Sequence, residues 1–432
     1  MEPLAEGKAH THPSNPTSSL SWRQLQINGV TFLLMTSGWR IGSIFGIPLL
    51  LNPAWFYSLI LFSFVFSPLW QRAGLETGWA WLGGLLMSLL LFGSVLLHEL
   101  GHSLVARAQG ISVNSITLFL FGGIASIEQE SKTPSQAFWV AIAGPSVSFA
   151  LSLLLFLISL GLPKPTPVAI MLNQLAFINL VLALFNMIPG LPLDGGQVLK
   201  AVIWKLTNSR ITGVRWAARV GQWLGWAAIF LGMAGAILLL RFSFLWLVFL
   251  GWFGIRRANA FLKMTKLQAA MLQLQAETAM QREFRSVDAN STIQQFATIY
   301  LADDSAVSLY YAEANGHYIG WIDASTLRAI ERSQWSQPLS SIIQPFEQLP
   351  TVQASNSLAM VIDQLEKQQL QQIPVLSAAG MMIGVIDRAD ITQALANHLD
   401  LLLPQPLFQQ IKAEGQFPKE LQLQGIAQDA LR

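Results

Sequence analysis

Along the chain, hydrophobic positions gather into six nearly uninterrupted stretches, at roughly 53–70, 79–106, 136–161, 168–189, 216–240 and 242–262. A helix needs about 20 mostly apolar residues to cross the hydrocarbon core of a bilayer, so the pattern predicts six transmembrane helices. Before the first stretch, GWRIGSIFGIPLLLNP (38–53) alternates weakly and is broken by Gly and Pro, which predicts a short strand pair at the membrane surface. Residues 1–19 are polar and rich in Pro, Ser and Thr, with no apolar run of the kind a cleaved signal peptide carries, so 1–37 reads as a disordered tail and leading segment. The transmembrane core is then 38–262.

Beyond it the pattern changes. A polar, Gln-rich helical connector (263–283) leads into 284–400, where FRSVDANSTIQQFATIYL … GHYIGWIDASTLRAI and FEQLPTVQASNSLAMVIDQLEKQQLQQIPVLSAAGMMIGVIDRADITQAL share one layout. Each has a polar turn, an amphipathic helix, two short β-branched strands joined by a Gly-containing turn, and a further helix, which reads as an internal duplication. Residues 401–432 are expected to be a tail. The fold class is therefore a polytopic α-helical membrane protein of about six spans carrying a C-terminal α/β pair.

Composition agrees with a bilayer as solvent. Of 432 residues, 52% are hydrophobic and 12% charged, with 15 Trp and 25 Phe and a mean hydropathy of +0.45. Charged residues make up about a quarter of an ordinary soluble domain. Residues 1–280 hold 17 basic and 8 acidic groups and residues 281–432 hold 9 and 16, so a total of +2 hides halves of +9 and −7. The basic groups flank apolar runs and do not line one polar face, which argues against nucleic acid as a partner. They also orient the chain: Arg107, Lys200, Lys205, Arg210, Arg215, Arg219, Arg256, Arg257, Lys263 and Lys266 follow the even-numbered spans, against Arg72, Lys164 and Arg241 on the opposite side. The positive-inside rule then places both termini on the cytoplasmic or equivalent side.

An ionisable side chain within the membrane costs several kcal/mol on insertion scales and demands a reason. Residues 41–262 contain Glu76, Glu128 and Glu130 in predicted loops, and His98, Glu99, His102 and Asp194 outside them. Three of the last four form His98-Glu99-Leu100-Gly101-His102. On a helix, positions i and i+4 face nearly the same way, so both imidazoles can reach one metal, and Glu99 on the flank can take a proton without occupying a coordination position. There is no Cys, so any metal must be held by His and carboxylate. Catalytic zinc takes three protein ligands, and Asp194 in FNMIPGLPLDGG (185–196) is the remaining intramembrane acid. His98 lies about 19 residues into its span and Asp194 about 25 into its own, so the two meet in the cytoplasmic third. Pro189, Gly190 and Pro192 should break the fourth span just before Asp194. His10 and His12 read as solvated tail residues, and His317 and His398 as surface or packing residues.

HELGH within a hydrophobic span, AGPSVSFA (143–150) and NMIPGLPLDGG (186–196) resemble the site-2 protease family of intramembrane zinc metalloproteases. The duplication resembles a cystathionine-β-synthase-type (CBS) pair, and GWRIGSIFGIP resembles the leading segment of the CBS-containing branch. Together the resemblances cover roughly 38–400. They imply one zinc on His98, His102 and Asp194, Glu99 as the catalytic residue, and Asn186 holding substrate or oxyanion. They also imply that FGGIASI (121–127), with Gly122 and Gly123, is a re-entrant β-hairpin edge beside a membrane-protein substrate's transmembrane helix. Ser148 departs from the family pattern, which often has Asn there. CBS pairs often bind adenine nucleotides through a G-h-h-S/T-x-x-D segment, which implies ATP, ADP or AMP near Asp390 and Asp387. Here, however, Asp387 and Asp323 replace the hydroxyl and Thr326 replaces the final acid, and an added carboxylate repels phosphate. The alternative is a docking or homodimerisation module.

Two rivals differ in class. A CBS-gated transporter or channel predicts ionisable groups dispersed along a pathway, whereas these are concentrated in one constellation. A catalytically dead chaperone predicts loss of one of the four residues, and all four are present.

Overall fold

A computed structural model describes residues 38–119, 122–127, 131–163, 166–301, 309–323, 327, 330–418 and 423–431. The tail at 1–37, Glu128, Glu130, Lys164, Ser325 and Thr326 lie outside the described residues. The chain forms two compact units: one from 29–275, 356–368 and 422–432, the other from 276–355 and 369–421.

In the first unit every predicted span is a long helix: α1 (Trp55–Arg72), α2 (Thr77–Ala108), α3 (Pro134–Leu160), α4 (Pro167–Asn186), α6 (Arg210–Leu238) and α7 (Leu245–Gln273). A shorter α5 (Asp194–Thr207) lies between α4 and α6. Local chemistry sets several of the starts. The Thr133 and Thr166 hydroxyls accept from Gln136 N and Ala169 N, each just before a proline at the first helical position, and Ser209 does the same for α6. Among the described residues four helices, α2, α3, α4 and α6, are long and apolar enough to cross a membrane. The other two are weaker: α1 has 18 residues and an internal Pro68, and α7 carries Arg256, Arg257, Lys263 and Lys266. The outward faces present Phe64, Trp81, Leu157, Phe177 and Phe230. Inside, helices are joined by polar pairs such as Asn179 Nδ2 donating to Ser94 Oγ at 3.0 Å, the interhelical bonding expected where lipid offers no partner.

The leading segment forms the expected strand pair, β1 (Trp39–Ile44) and β2 (Ile47–Leu51), turning at Phe45 and Gly46, both with positive φ. It belongs to a four-stranded sheet in the order β1-β2-β3-β4, completed by β3 (Val113–Phe119) and β4 (Gly122–Ile127). Here β2 runs parallel to β3, and β3–β4 is an antiparallel hairpin with Phe119 opposite Gly122. Ile47, Leu100 and Ile116 pack the sheet onto α2. β4 is therefore a terminal strand held beside the helix that carries the HExxH run.

The connector continues α7 to Gln273, and the C-terminal segment, more ordered than its composition suggests, contains α12 (Gln405–Glu414) and α13 (Leu423–Leu431). The end of α7 (Ala269, Ala270, Met271) packs with α10 (Leu358–Lys367) and with Ile426 and Ala427 of α13, and Leu358 N donates to Leu274 O at 2.9 Å. In α13 the buried Leu423, Ile426 and Ala427 stand at i, i+3 and i+4 and form one apolar face.

The second unit holds both sheets of the duplication. In the first, β5 (Ser286–Asp288) is parallel to β6 (Leu309–Ala314), which is antiparallel to β7 (His317–Asp323), with β8 (Gln344–Pro345) alongside. In the second, β9 (Val352–Gln353) is parallel to β10 (Gln372–Leu376), which is antiparallel to β11 (Met382–Asp387). The pairing pattern repeats, as a duplication requires. A short α8 (Ala276–Ala279) precedes the first sheet, where α9 (Ile293–Leu301) supplies the helix, while α11 (Arg388–His398) follows the second. Phe296, Tyr310 and Ile322 centre one core, and Tyr311, Leu349 and Val385 another.

Candidate metal centre

The unbroken α2 places His98 and His102 one turn apart, both buried, at 4% and 8% exposure. Asp194 is the first residue of α5 and arrives by a separate route. Helix α4 ends at Asn186, and Pro189, Gly190 and Pro192 carry the chain through turns before α5 starts. The break predicted from the prolines thus delivers a carboxylate to the imidazoles of a helix 96 positions earlier in the chain. His98 Nε2 is 3.1 Å and His102 Nε2 3.4 Å from Asp194 Oδ2, and the two Nε2 atoms are 3.3 Å apart.

Those three separations test the fit of a metal. Zinc in tetrahedral geometry, with bonds of about 2.0–2.1 Å, spaces its ligand atoms about 3.3–3.4 Å apart. The triangle therefore has the size of one face of such a site, and two imidazoles with one carboxylate are the donor set of a catalytic centre that keeps one position open. The imidazoles are also held in the right form. His102 Nδ1 lies 2.6 Å from Val140 O. A carbonyl can only accept, so Nδ1 carries the proton and Nε2 presents its lone pair. His98 Nδ1 meets Ser148 Oγ at 2.9 Å.

Glu99 is one residue from the triangle and belongs to none of its edges. β4 passes directly over it: a Cβ on Gly123 would lie 2.6 Å from Glu99 Cγ, so the strand comes this close because position 123 has no side chain. The backbone N–H of Ala125 faces the Glu99 carboxylate. Of the remaining candidates, Gly122 is the first residue of β4, with φ 141°, and Asn186 is half-buried at the last position of α4.

Sequence reasoning did not find Val140 or Gly144 and marked Ser148 only as a departure from the family pattern. No periodicity marks a backbone carbonyl, and Gly144 matters through an approach visible only in three dimensions: a Cβ there would lie 2.7 Å from both Cδ2 and Cε1 of His102. The AGP run was the available signal.

The CBS-type residues are engaged within their own unit. Asp387 caps α11, accepting from Asp390 N at 2.8 Å, and Asp390 accepts in return from Asp387 N at 3.0 Å. Gln281 Nε2 donates to the other Asp390 oxygen, while the Gln281 backbone pairs with Val385. Burial pushes the Asp390 carboxyl up to about 7, and the Asp387 charge adds to this. His317 and His398 are exposed, away from any ligand cluster among the described residues.

A raised carboxyl has a definite consequence for stability. The folded state holds the Asp390 proton where the unfolded chain, near the ordinary value of 3.8, has lost it. Stability around α11 should thus be greatest in acid and fall as pH rises from about 4 to about 7. Amide exchange over 385–392 in the full chain, corrected for intrinsic rates, should show protection declining over that range in the wild type and level in Asp390→Asn. A flat wild-type profile would refute it.

Comparison with known proteins follows the same division of the chain. The sequence model of peptidase family M50 matches residues 86–174 and 164–225, and that of the CBS domain matches 340–397. A Synechocystis protein named as a candidate zinc metalloprotease, sll0528, is 40% identical over 364 residues, covering 84% of this chain and 96% of its own. Rip3 of Mycobacterium tuberculosis, named likewise, is 28% identical and covers 83% and 93%. Among solved structures, the site-2 protease from Methanocaldococcus jannaschii is 28% identical with a TM-score of 0.38, covering 52% of this chain and 95% of its own. With its apolar helices, the chain is an integral, multipass membrane protein and belongs to peptidase family M50, the site-2 family of zinc metalloproteases that act within membranes.

Proposed function

We propose that the chain is an HExxH zinc endopeptidase that cuts transmembrane helical substrates near the cytoplasmic face, from a six-span core with both termini on that side. The observation that carries this reading is the triangle of His98, His102 and Asp194 with Glu99 beside it under β4. A bound zinc ion supplies Lewis acidity for the scissile carbonyl and lowers the pKa of water toward neutrality. Glu99 takes the proton of the attacking water on a carboxylate oxygen and passes it to the departing amine. Asn186 orients the substrate carbonyl through its side-chain amide.

The target bond must first be exposed, because a helical peptide is shielded by its own hydrogen bonds. β4 is the terminal strand of its sheet, so an unwound substrate segment can add to the β3–β4 hairpin through main-chain bonds, the hairpin dipping into the membrane from the cytoplasmic side. Gly122 and Gly123 keep that edge free of side chains above Glu99. A transporter reading finds no support in a constellation gathered around one point.

The test is cleavage by the full chain in proteoliposomes of a substrate bearing one transmembrane helix, with products mapped by mass spectrometry. The expected cut lies within the helix toward the cytoplasmic end and disappears with a membrane-permeant zinc chelator. Undiminished cleavage after the metal is stripped, or cuts confined to soluble loops, would overturn the proposal.

The CBS pair (284–400) is proposed to modulate this activity. Support comes from α10, part of the second repeat, which packs on the end of α7, and α7 in turn packs along α6. An adenine nucleotide would enter a cleft of about 200 Å³ lined by Thr278, Gln281, Asp390, Gln393, Asn397 and Phe408. To offer Asp390 to a ribose, the unit must first release Gln281 from it. Homodimerisation through the pair is the companion proposal.

A further inference from the structure

We propose that Ser148 is a positioning residue for the metal centre, fixing His98 in the tautomer and orientation that turn Nε2 toward the ligand triangle. The inference rests on the reading of His98, His102 and Asp194 as zinc ligands. It starts from one face of α3, where positions 140, 144 and 148, four apart and so aligned along the helix, confront both imidazoles. The Val140 carbonyl holds His102 Nδ1, position 144 has no side chain to obstruct the ring, and the Ser148 hydroxyl holds His98 Nδ1.

The two imidazoles are held by different means. His102 is tied to a backbone carbonyl that is present whatever the residue. His98 depends on a side chain, and the Ser148 contact of 2.9 Å, on a residue 1% exposed, is its Nδ1 bond among the described residues. For Nε2 to offer a lone pair to a metal held between it, His102 Nε2 and Asp194 Oδ2, Nδ1 must carry the proton and donate it to an acceptor. Without the hydroxyl, the buried Nδ1–H loses its partner, and the ring gains freedom to rotate or to move the proton to Nε2, where it would block metal binding. The hydroxyl therefore acts on the metal through His98 and touches no reacting atom.

The experiment measures zinc affinity of the purified full chain by competition with a chromophoric chelator, for wild type, Ser148→Ala, Ser148→Val, Ser148→Asn, Ser152→Ala and His98→Ala. Ser152 lies on the same helix, is buried, and donates to Ala176 O at 2.7 Å without touching a ligand, so it reports on helix packing alone. Ser148→Ala should weaken zinc binding about 10- to 100-fold, the range found when partners of ligating groups are removed. Ser148→Val, which fills the space without an acceptor, should do the same and serves if the alanine variant does not fold. Ser148→Asn, whose amide oxygen can accept, should recover most of the affinity, and Ser152→Ala should match wild type. Zinc binding by Ser148→Ala within twofold of wild type, or equal weakening in Ser152→Ala, would overturn the role of Ser148 while leaving the zinc centre standing. A wild type that holds no zinc, or a His98→Ala variant that holds it as tightly as wild type, would overturn the centre itself and the inference with it.

Discussion

Glu99→Gln should leave the metal in place and reduce peptide hydrolysis by about 10²- to 10⁴-fold, a loss of about 3–5 kcal/mol of transition-state stabilisation. The separation of the two effects follows from geometry. The three atoms placed to hold a metal are on His98, His102 and Asp194, and none is on Glu99, so the substitution removes none of them. An amide has nearly the shape of the carboxylate it replaces, so the contact between Gly123 and the side-chain methylene is kept, and an amide oxygen can still face the Ala125 N–H. What is lost is a group able to take a proton from water. Zinc content and turnover of a transmembrane substrate, measured on the same preparation, check both halves. Proteolysis within tenfold of wild type would assign the base to another group, and loss of zinc would make Glu99 a ligand.

The parts of this site legible in the sequence are those carried by spacing along one element. His98 and His102 share a helix face by their separation of four, and their cost in an apolar span is enough to single them out. Asp194 was reachable because a charge in hydrocarbon needs a reason and two prolines and a glycine mark the break just before it. Long spans were legible for the same cause: a bilayer demands an apolar run of fixed length. Where two elements approach closely, the sequence has no period to read. Val140 contributes a carbonyl that any residue would have, and Ser148 looks like one more small residue in an α3 sequence that contains several. In α13 the signal was present in Leu423, Ile426 and Ala427, but three positions in so short a helix do not stand out from a polar tail. The CBS motif gives Asp390 the position of a ribose ligand, and only the structure shows that its two oxygens are engaged by the Gln281 side chain and the Asp387 backbone.

Gly144→Ala should cost the chain its metal although position 144 is no ligand. An alanine Cβ would lie 2.7 Å from two ring atoms of His102, far inside the roughly 3.5–4.0 Å at which carbon atoms rest. Neither partner has room to give. The ring is held at its far side by Val140 O at 2.6 Å, so turning away breaks that bond and swings Nε2 out of the triangle. Retreat of α3 instead would open its close packing on α2 beside the site, where a Cβ on Gly101 would lie 2.9 Å from Val147 and 3.1 Å from the Ala143 carbonyl. The alanine is thus accommodated by displacing an imidazole, and zinc affinity should fall by at least about 100-fold, the upper end of what losing a partner of a ligand costs, because here the ligand itself moves. Gly93→Ala supplies the control on the neighbouring helix, since a Cβ there meets nothing within 4 Å and should leave zinc binding unchanged. Helical content and the unfolding midpoint in detergent establish that both variants are folded. A folded Gly144→Ala protein that retains one zinc at wild-type affinity would show that α3 can yield where this packing says it cannot, and the close approach of Gly144 would then be incidental to the centre.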